Sequence, residues 1–177
     1  GWLLPHKGHQ FALKACRLLL DQGILNFKWY FYGEGPLHAE LSAQILKMGL
    51  RNVIEMAGMI DNKELLRLYQ KRMIDIVVLP SVEANGSFEG IPVSLMEAMS
   101  FGIPVIATDC GGITELIEGG AGICIPQRDE KAMALAIIEF MKDKEFLCGQ
   151  GARGMLKINE EFNNVIIAQQ MKQFFLS

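Results

Sequence analysis

The sequence predicts an α/β domain in which a doubly wound parallel sheet is flanked by helices. Three observations carry this. Short β-branched or aromatic runs alternate with longer stretches of helical period, as successive βαβ units require. Two of the runs, Asp75–Leu79 and Pro104–Thr108, are apolar on both faces, as strands covered by helices on each side should be. The 177 residues, 50% hydrophobic and 21% charged, suit one domain with a full core and exclude intrinsic disorder.

In chain order, Gly1-Trp2-Leu3-Leu4 and a turn come first. This is far less than the full central strand with which a doubly wound sheet begins, so residues 1–177 read as a single domain cut from something longer, at its first strand. Phe11, Ala15, Leu18 and Leu19 repeat at three- and four-residue spacing, with Gly23 at the C-cap position. Strands are then expected at Lys28–Tyr32, Val53–Met56, Asp75–Leu79, Pro104–Thr108 and Gly122–Ile125. Between them, Leu37–Met48, Lys63–Lys71, Val93–Phe101 and Glu130–Lys142 have helical period. The end, from Glu145, reads as helix despite Gly149, Gly151 and Gly154. Its last part, from Phe162 to Phe175, carries an apolar stripe that suits either a partner surface or packing on its own domain. There is no internal repeat and no interdomain linker.

Composition removes several classes of function. Seventeen basic against twenty acidic residues, a formal charge of −3, give no footprint for nucleic acid. No apolar run approaches the roughly 20 residues that span a bilayer. The four cysteines lie far apart without a CxxC pair, which argues against zinc or a disulfide framework and for reduced thiols in the cytoplasm. His6, His9 and His38 have no metal-ligand spacing; His6 and His9 read as surface residues, and no metal is expected. The ten methionines read as core filler.

The chemistry concentrates in Ser81–Asp109. A polar, glycine-containing loop follows a buried strand, and a helix begins near Pro92, where the missing N–H costs nothing. The amides of Val93 and Ser94 then point out of a helix start, which suits a phosphate at the edge of the sheet where ligands of open α/β folds gather. Glu89 lies in the loop just before these amides and Glu97 on the helix beyond them. Either glutamate alone also reads as an exposed residue. Together, two carboxylates can each accept a pair of hydroxyl hydrogen bonds, as in reading a vicinal diol.

The stretch EGIPVSLMEAMSFGIPVIATDCGG resembles the signature of family 4 glycosyltransferases of the GT-B fold. Glu89 and Glu97, with seven residues between them, have the spacing of that family's paired glutamates. The resemblance implies that Glu89 contacts hydroxyls of the donor sugar and that Glu97 holds the ribose. The amides after Glu89, from Gly90 and Ile91, would meet the diphosphate and sugar. Ile91-Pro92 stands for the usual Phe-Gly and removes one donor. Gly1-Trp2-Leu3 through Lys7-Gly8 is similar to the family's GRL…KG turn, which puts Lys7 on the lysine facing the diphosphate. Trp2 stands where the family has an arginine. Gly33-Glu34-Gly35-Pro36-Leu37 is similar to the family's GxGPL turn, where close backbone approach to the nucleotide is implied. Gly58 and Met59 fall on the segment that reads the base. Asp109-Cys110-Gly111-Gly112 with Glu115 matches GGxxE, read here as a permissive turn opening a short helix.

The resemblance implies a Rossmann-like half of a GT-B enzyme, the C-terminal donor-binding domain of a retaining hexosyltransferase. Its donor would be a UDP- or GDP-sugar, its acceptor a hydroxyl, with no metal and no cofactor. Lys7 and Glu89 are the candidate catalytic residues. Gly33, Gly58, Met59, Gly90, Ile91, Val93, Ser94 and Glu97 are the candidate donor-binding residues. The acceptor site would belong to an N-terminal domain or partner chain, so these residues alone should bind donor without turnover. The common setting is bacterial polysaccharide synthesis, which implies the cytoplasm and the inner face of the plasma membrane, reached through the missing part. Two alternatives stay open: a split or non-catalytic nucleotide-sugar-binding subunit, and a dinucleotide-dependent oxidoreductase using Gly33-Glu34-Gly35 and Glu55, for which the third glycine is absent.

Overall fold

Burial of one helical stripe after another organises the chain. In the computed structural model, which describes residues 1–84, 86 and 89–162, a 3-10 turn at Pro5–Lys7 leads into α1 (His9–Asp21). Phe11, Ala12, Leu13, Ala15, Cys16 and Leu19 are its buried stripe. There follow β1 (Trp29–Tyr32), α2 (His38–Lys47), β2 (Ile54–Gly58), α3 (Asn62–Gln70), β3 (Val77–Leu79), α4 (Val93–Ser100), β4 (Val105–Thr108), α5 (Ile113–Ile117), β5 (Ile123–Ile125), α6 (Glu130–Lys142) and α7 (Lys144–Glu161). The first four helices share one ending. After α1, for example, Gly23 N–H donates to Leu20 O at 2.9 Å and Ile24 N–H to Leu19 O at 3.0 Å, with Gly23 left-handed. Gly49 and Gly102 repeat this after α2 and α4, while after α3 the left-handed residue is Arg72, whose guanidinium donates to Gly102 O at 3.2 Å.

All paired strands are parallel, in two hydrogen-bonded groups, β1-β2 and β3-β4-β5. The continuous sheet expected from the sequence is therefore divided. Residues 1–8 lie between the carboxyl ends of the two groups and bind both without forming a ladder. Leu3 N–H donates to Glu34 O at 2.8 Å beyond β1, and Val82 N–H, beyond β3, donates to His6 O at 2.8 Å.

Helices cover both faces, and two apolar clusters record this. One gathers α1, α2 and α6 with Phe31, Ile54 and Ile106; the other gathers α4, α5 and Tyr69 of α3 with Val105 and Ala107. β4, wholly buried, thus sends alternate residues to opposite faces, as a doubly wound core requires. The glycines of α7 let that helix lie directly on backbone: a Cβ on Gly151 would come within 2.3 Å of Gly102 O, and one on Gly154 within 3.0 Å of Ala121 O. The methionines are not uniformly core filler. Met99 and Met133 are buried, but Met59 and Met73 are largely exposed, because their positions close strand and helix ends at the surface. The apolar stripe running to Phe175 lies beyond residue 162, outside the described residues. No described helix is long and apolar enough to cross a membrane.

Candidate functional site

The carboxyl ends of β3 and β4 carry the charged part of the site. Chain leaving β3 passes Pro80, Ser81 and Val82 and is clamped on one side by the 3-10 turn that carries Lys7. Gly8, left-handed at φ 67°, packs so tightly that a Cβ there would lie 1.8 Å from Pro80 O. This close approach brings Lys7 to Glu89, 82 residues later: Nζ of Lys7 donates to Oε1 of Glu89. Ser81 Oγ donates to the same oxygen at 2.8 Å, and Thr108 Oγ1 of β4 donates to Ser81 O at 2.5 Å. The Lys7 and Glu89 side chains are 25% and 11% exposed. Burial alone would raise the Glu89 carboxyl. The hydrogen bonds from Lys7 and Ser81 and the charges of Lys7 and His6 outweigh it and hold the carboxyl below the usual glutamate range.

Both bonds end on Oε1. Among the described residues Oε2 has no hydrogen-bonding partner, so the bonds that position the carboxylate fall on one of its two oxygens. The glycine pair after β4 is more than a permissive turn. A Cβ on Gly111, at φ 59°, would meet Glu89 O at 1.9 Å, and Gly112 N–H donates to that oxygen at 3.1 Å. Gly90, exposed and open, and Ile91 follow at the rim against Gly112. Pro92 is the N-cap of α4, with no side-chain cap. Leu95 and Met96 N–H close onto Pro92 O, whereas Val93 and Ser94, both exposed, precede the first intrahelical bonds. Their amides meet the requirement for an anion next to Lys7 and Glu89.

Glu97 lies one turn farther along α4, half-buried, where Asn62 Nδ2 at the start of α3 donates to its Oε1 at 3.1 Å. At the carboxyl ends of β1 and β2, Gly33 and Met59 line a shallow cavity of about 100 Å³ together with Gly1, Trp2, Tyr32 and Ile60. Gly58 closes β2, and its carbonyl accepts from Gly33 N–H at 2.7 Å. The close backbone approach at Gly33 and Gly35 is to the chain's own residues 1–3: a Cβ on Gly33 would lie 1.6 Å from Gly1 O, and one on Gly35 2.7 Å from Leu3 N. Each of the ten candidate residues therefore sits at the carboxyl side of the strands, but in three clusters. His9 is a correction. It is largely buried, packs edge-to-face on Phe31 with ring centroids 5.3 Å apart, and leaves Nδ1 without a partner among the described residues. Burial, reinforced by neighbouring positive charge that includes Lys7 and His6, lowers its pKa to about 4.

Sequence reasoning missed Ser81, Thr108, Asn62 and the buttressing of Glu89 by Gly111 and Gly112. Ser81 carried a usable signal, since a hydroxyl directly after a buried strand needs a partner. The Asn62–Glu97 bond joins two helices and left no mark in local pattern.

Comparison with known proteins decides the family. The sequence profile of Glycosyl transferases group 1 matches residues 1–154. The chain belongs to that family. Among its relatives, the colanic acid biosynthesis glycosyltransferase WcaL of Salmonella typhimurium, so named, is 37% identical over 172 residues, 96% of this chain and 42% of that protein. The amylovoran biosynthesis glycosyltransferase AmsK of Erwinia amylovora is 34% identical over 173 residues, 97% of this chain and 42% of that protein. The chain thus spans well under half the length of these relatives. Among solved structures, Anabaena Alr3699/HepE in complex with UDP matches with a TM-score of 0.82 at 24% identity, over 99% of this chain and 46% of that one. The C-terminal domain of the group 1 protein LpcC from Francisella tularensis matches with a TM-score of 0.79 at 24% identity, over 93% and 84%. At these identities the likeness establishes the fold, parallel strands between helices as in GT-B glycosyltransferases.

Proposed function

We propose that residues 1–177 form the C-terminal, donor-binding domain of a family 4 retaining glycosyltransferase. It would bind a nucleoside-diphosphate sugar for transfer to a hydroxyl of a growing polysaccharide. The observation that carries this reading is the Lys7–Glu89 contact beside the uncapped start of α4. A cation, a helix start and a carboxylate with one oxygen that has no partner among the described residues lie together, on residues that resemble the family's motif. WcaL and AmsK, whose names assign them to colanic acid and amylovoran biosynthesis, support polysaccharide as the product. The UDP complex of HepE supports a uridine nucleotide as one donor to test.

In this reading the diphosphate lies between Lys7 and the amides of Val93 and Ser94. These donors strengthen as negative charge grows on the leaving group, which lowers the barrier without a metal or cofactor. Lys7 exchanges Glu89 for phosphate oxygen, Oε2 of Glu89 accepts from a sugar hydroxyl, and the amides of Gly90 and Ile91 face the sugar and diphosphate. Glu97 accepts from the ribose, with Asn62 holding its second oxygen. Gly33, Gly58 and Met59 border the nucleoside. The acceptor site and the rest of the catalytic apparatus come from an N-terminal domain or partner chain, so this domain by itself binds without turnover. The whole protein then works in the cytoplasm at the inner face of the membrane. A second reading, a binding subunit that never turns over, draws on Trp2 in place of an arginine.

Calorimetry with UDP and UDP-glucose, and with GDP and GDP-mannose, tests the assignment. Glu97→Ala should weaken nucleotide and nucleotide sugar alike, Glu89→Ala should remove only the increment due to the sugar, and chelator should change neither. Wild-type protein that binds none of the four at millimolar concentration would overturn both donor-binding readings.

A further inference from the structure

The site is chemically polarised. Lys7, Glu89 and the start of α4 make one end, beyond β3, charged and rich in donors. At the other end, beyond β1 and β2, the lining of Trp2, Tyr32, Gly33, Met59 and Ile60 holds no charged side chain. Two large apolar side chains there lack cover, Trp2 at 67% and Met59 at 72% exposed. Residues 1–4 hold Trp2 in this position. Leu3 is fully buried and pinned through its own N–H to Glu34 O and its O to Leu37 N–H, and in an extended segment its neighbour Trp2 must face the opposite way.

A nucleoside-diphosphate sugar has the same polarity: a flat aromatic base, a dianionic centre and a polyol. A diphosphate placed at the apolar end would lose hydration and meet no cationic side chain of the lining, whereas a base would gain stacking area. We propose that Trp2, standing where the family has an arginine, is a stacking face for the nucleobase of the donor and takes no part in holding the diphosphate. The inference rests on the donor-binding reading above. It assigns the positive side of the diphosphate site to Lys7 and the helix amides alone.

Trp2 and Trp29 are the two tryptophans of the chain, so a Trp29→Phe variant makes Trp2 the sole indole reporter. UDP and UMP, or GDP and GMP, should quench its emission saturably, and inorganic pyrophosphate should not. By calorimetry, Trp2→Ala should weaken the diphosphate and monophosphate nucleotides by about the same factor, about tenfold, with pyrophosphate affinity unchanged, while Trp2→Phe keeps most of the affinity. Trp2→Ala that binds UDP and GDP as the wild type does, while Glu97→Ala weakens them, would overturn the stacking role and leave the donor site standing. Trp2→Ala that loses pyrophosphate binding would return Trp2 to the diphosphate. Failure of the wild type to bind any nucleotide removes the donor site and the stacking role together.

Discussion

Glu89 and Glu97 sit eight positions apart at one edge of the molecule and are held in opposite ways. Glu89 is fixed from three directions, by Lys7 from the start of the chain, by Ser81 after β3 and by the glycine turn after β4. Glu97 is held by one bond from an exposed Asn62. The difference follows from where each carboxylate lies. Glu89 is mostly removed from water, where an unpaired charge is costly and a cation beside it offsets the loss of solvent. Glu97 keeps contact with solvent, which covers for absent partners. The acid assigned to the sugar is thus positioned before any ligand arrives, and the acid assigned to the ribose is left free to adjust.

The largest expected effect comes from breaking the packing behind Glu89. Gly111→Ala forces a Cβ into Glu89 O at a left-handed backbone position and should cost about 3 kcal/mol or more, read as a fall in the urea midpoint. Glu97→Ala, the matching cut on the other acid, should leave that midpoint within about 0.5 kcal/mol. Lys7→Ala comes next. It leaves a mostly buried carboxylate short of its cation and should cost about 2 kcal/mol at neutral pH. The Glu89 carboxyl is depressed in the folded state, so this contribution is present above the usual glutamate range and lost as pH falls through the folded value. Wild type and Lys7→Ala should therefore converge in stability on acidification, and a constant gap would show that the pair contributes nothing as ions.

His9, next to Lys7 in the fixed region, supplies a second test by pH. Its folded pKa of about 4 lies below the usual 6.5, so the neutral imidazole stabilises the fold above about pH 6.5 and that stability is lost as pH falls toward 4. His9→Phe, which keeps an aromatic ring against Phe31, should flatten the pH profile over that window. The smallest effect is expected at the loosely held acid. Asn62→Ala should change stability by about 0.5 kcal/mol or less and weaken UDP affinity less than threefold. A larger loss there would mean that Glu97 is as firmly positioned as Glu89, and the contrast between the two would fail.

Much of this site was legible in the sequence because its signals are local. Strand runs such as Val105–Ala107 are apolar throughout, the first helix end carries Gly23, and the motif around Glu89 and Glu97 is one continuous stretch. What escaped was everything made by chain segments meeting. His9 read as a surface residue because one polar ring in a turn looks exposed until Phe31 covers it. Gly33 and Gly35 read as a turn of close backbone approach, but that the segment packed against them includes residues 1–3 came only from the structure. Gly111 read as a turn, although its missing side chain is what lets the turn touch Glu89.

Sequence alone therefore indicated the order and type of the elements and the parallel character of the strands, since periodicity and turn chemistry act over a few residues, and it nominated two acids and a lysine through a motif resemblance. Only the tertiary structure decided that Lys7 reaches Glu89, that Lys7 and Ser81 meet on one and the same oxygen of Glu89, and that Trp2 faces an apolar cavity apart from the charged end. Those outcomes depend on close packing between segments up to 82 residues apart, and close packing is settled by shape complementarity that no local pattern encodes.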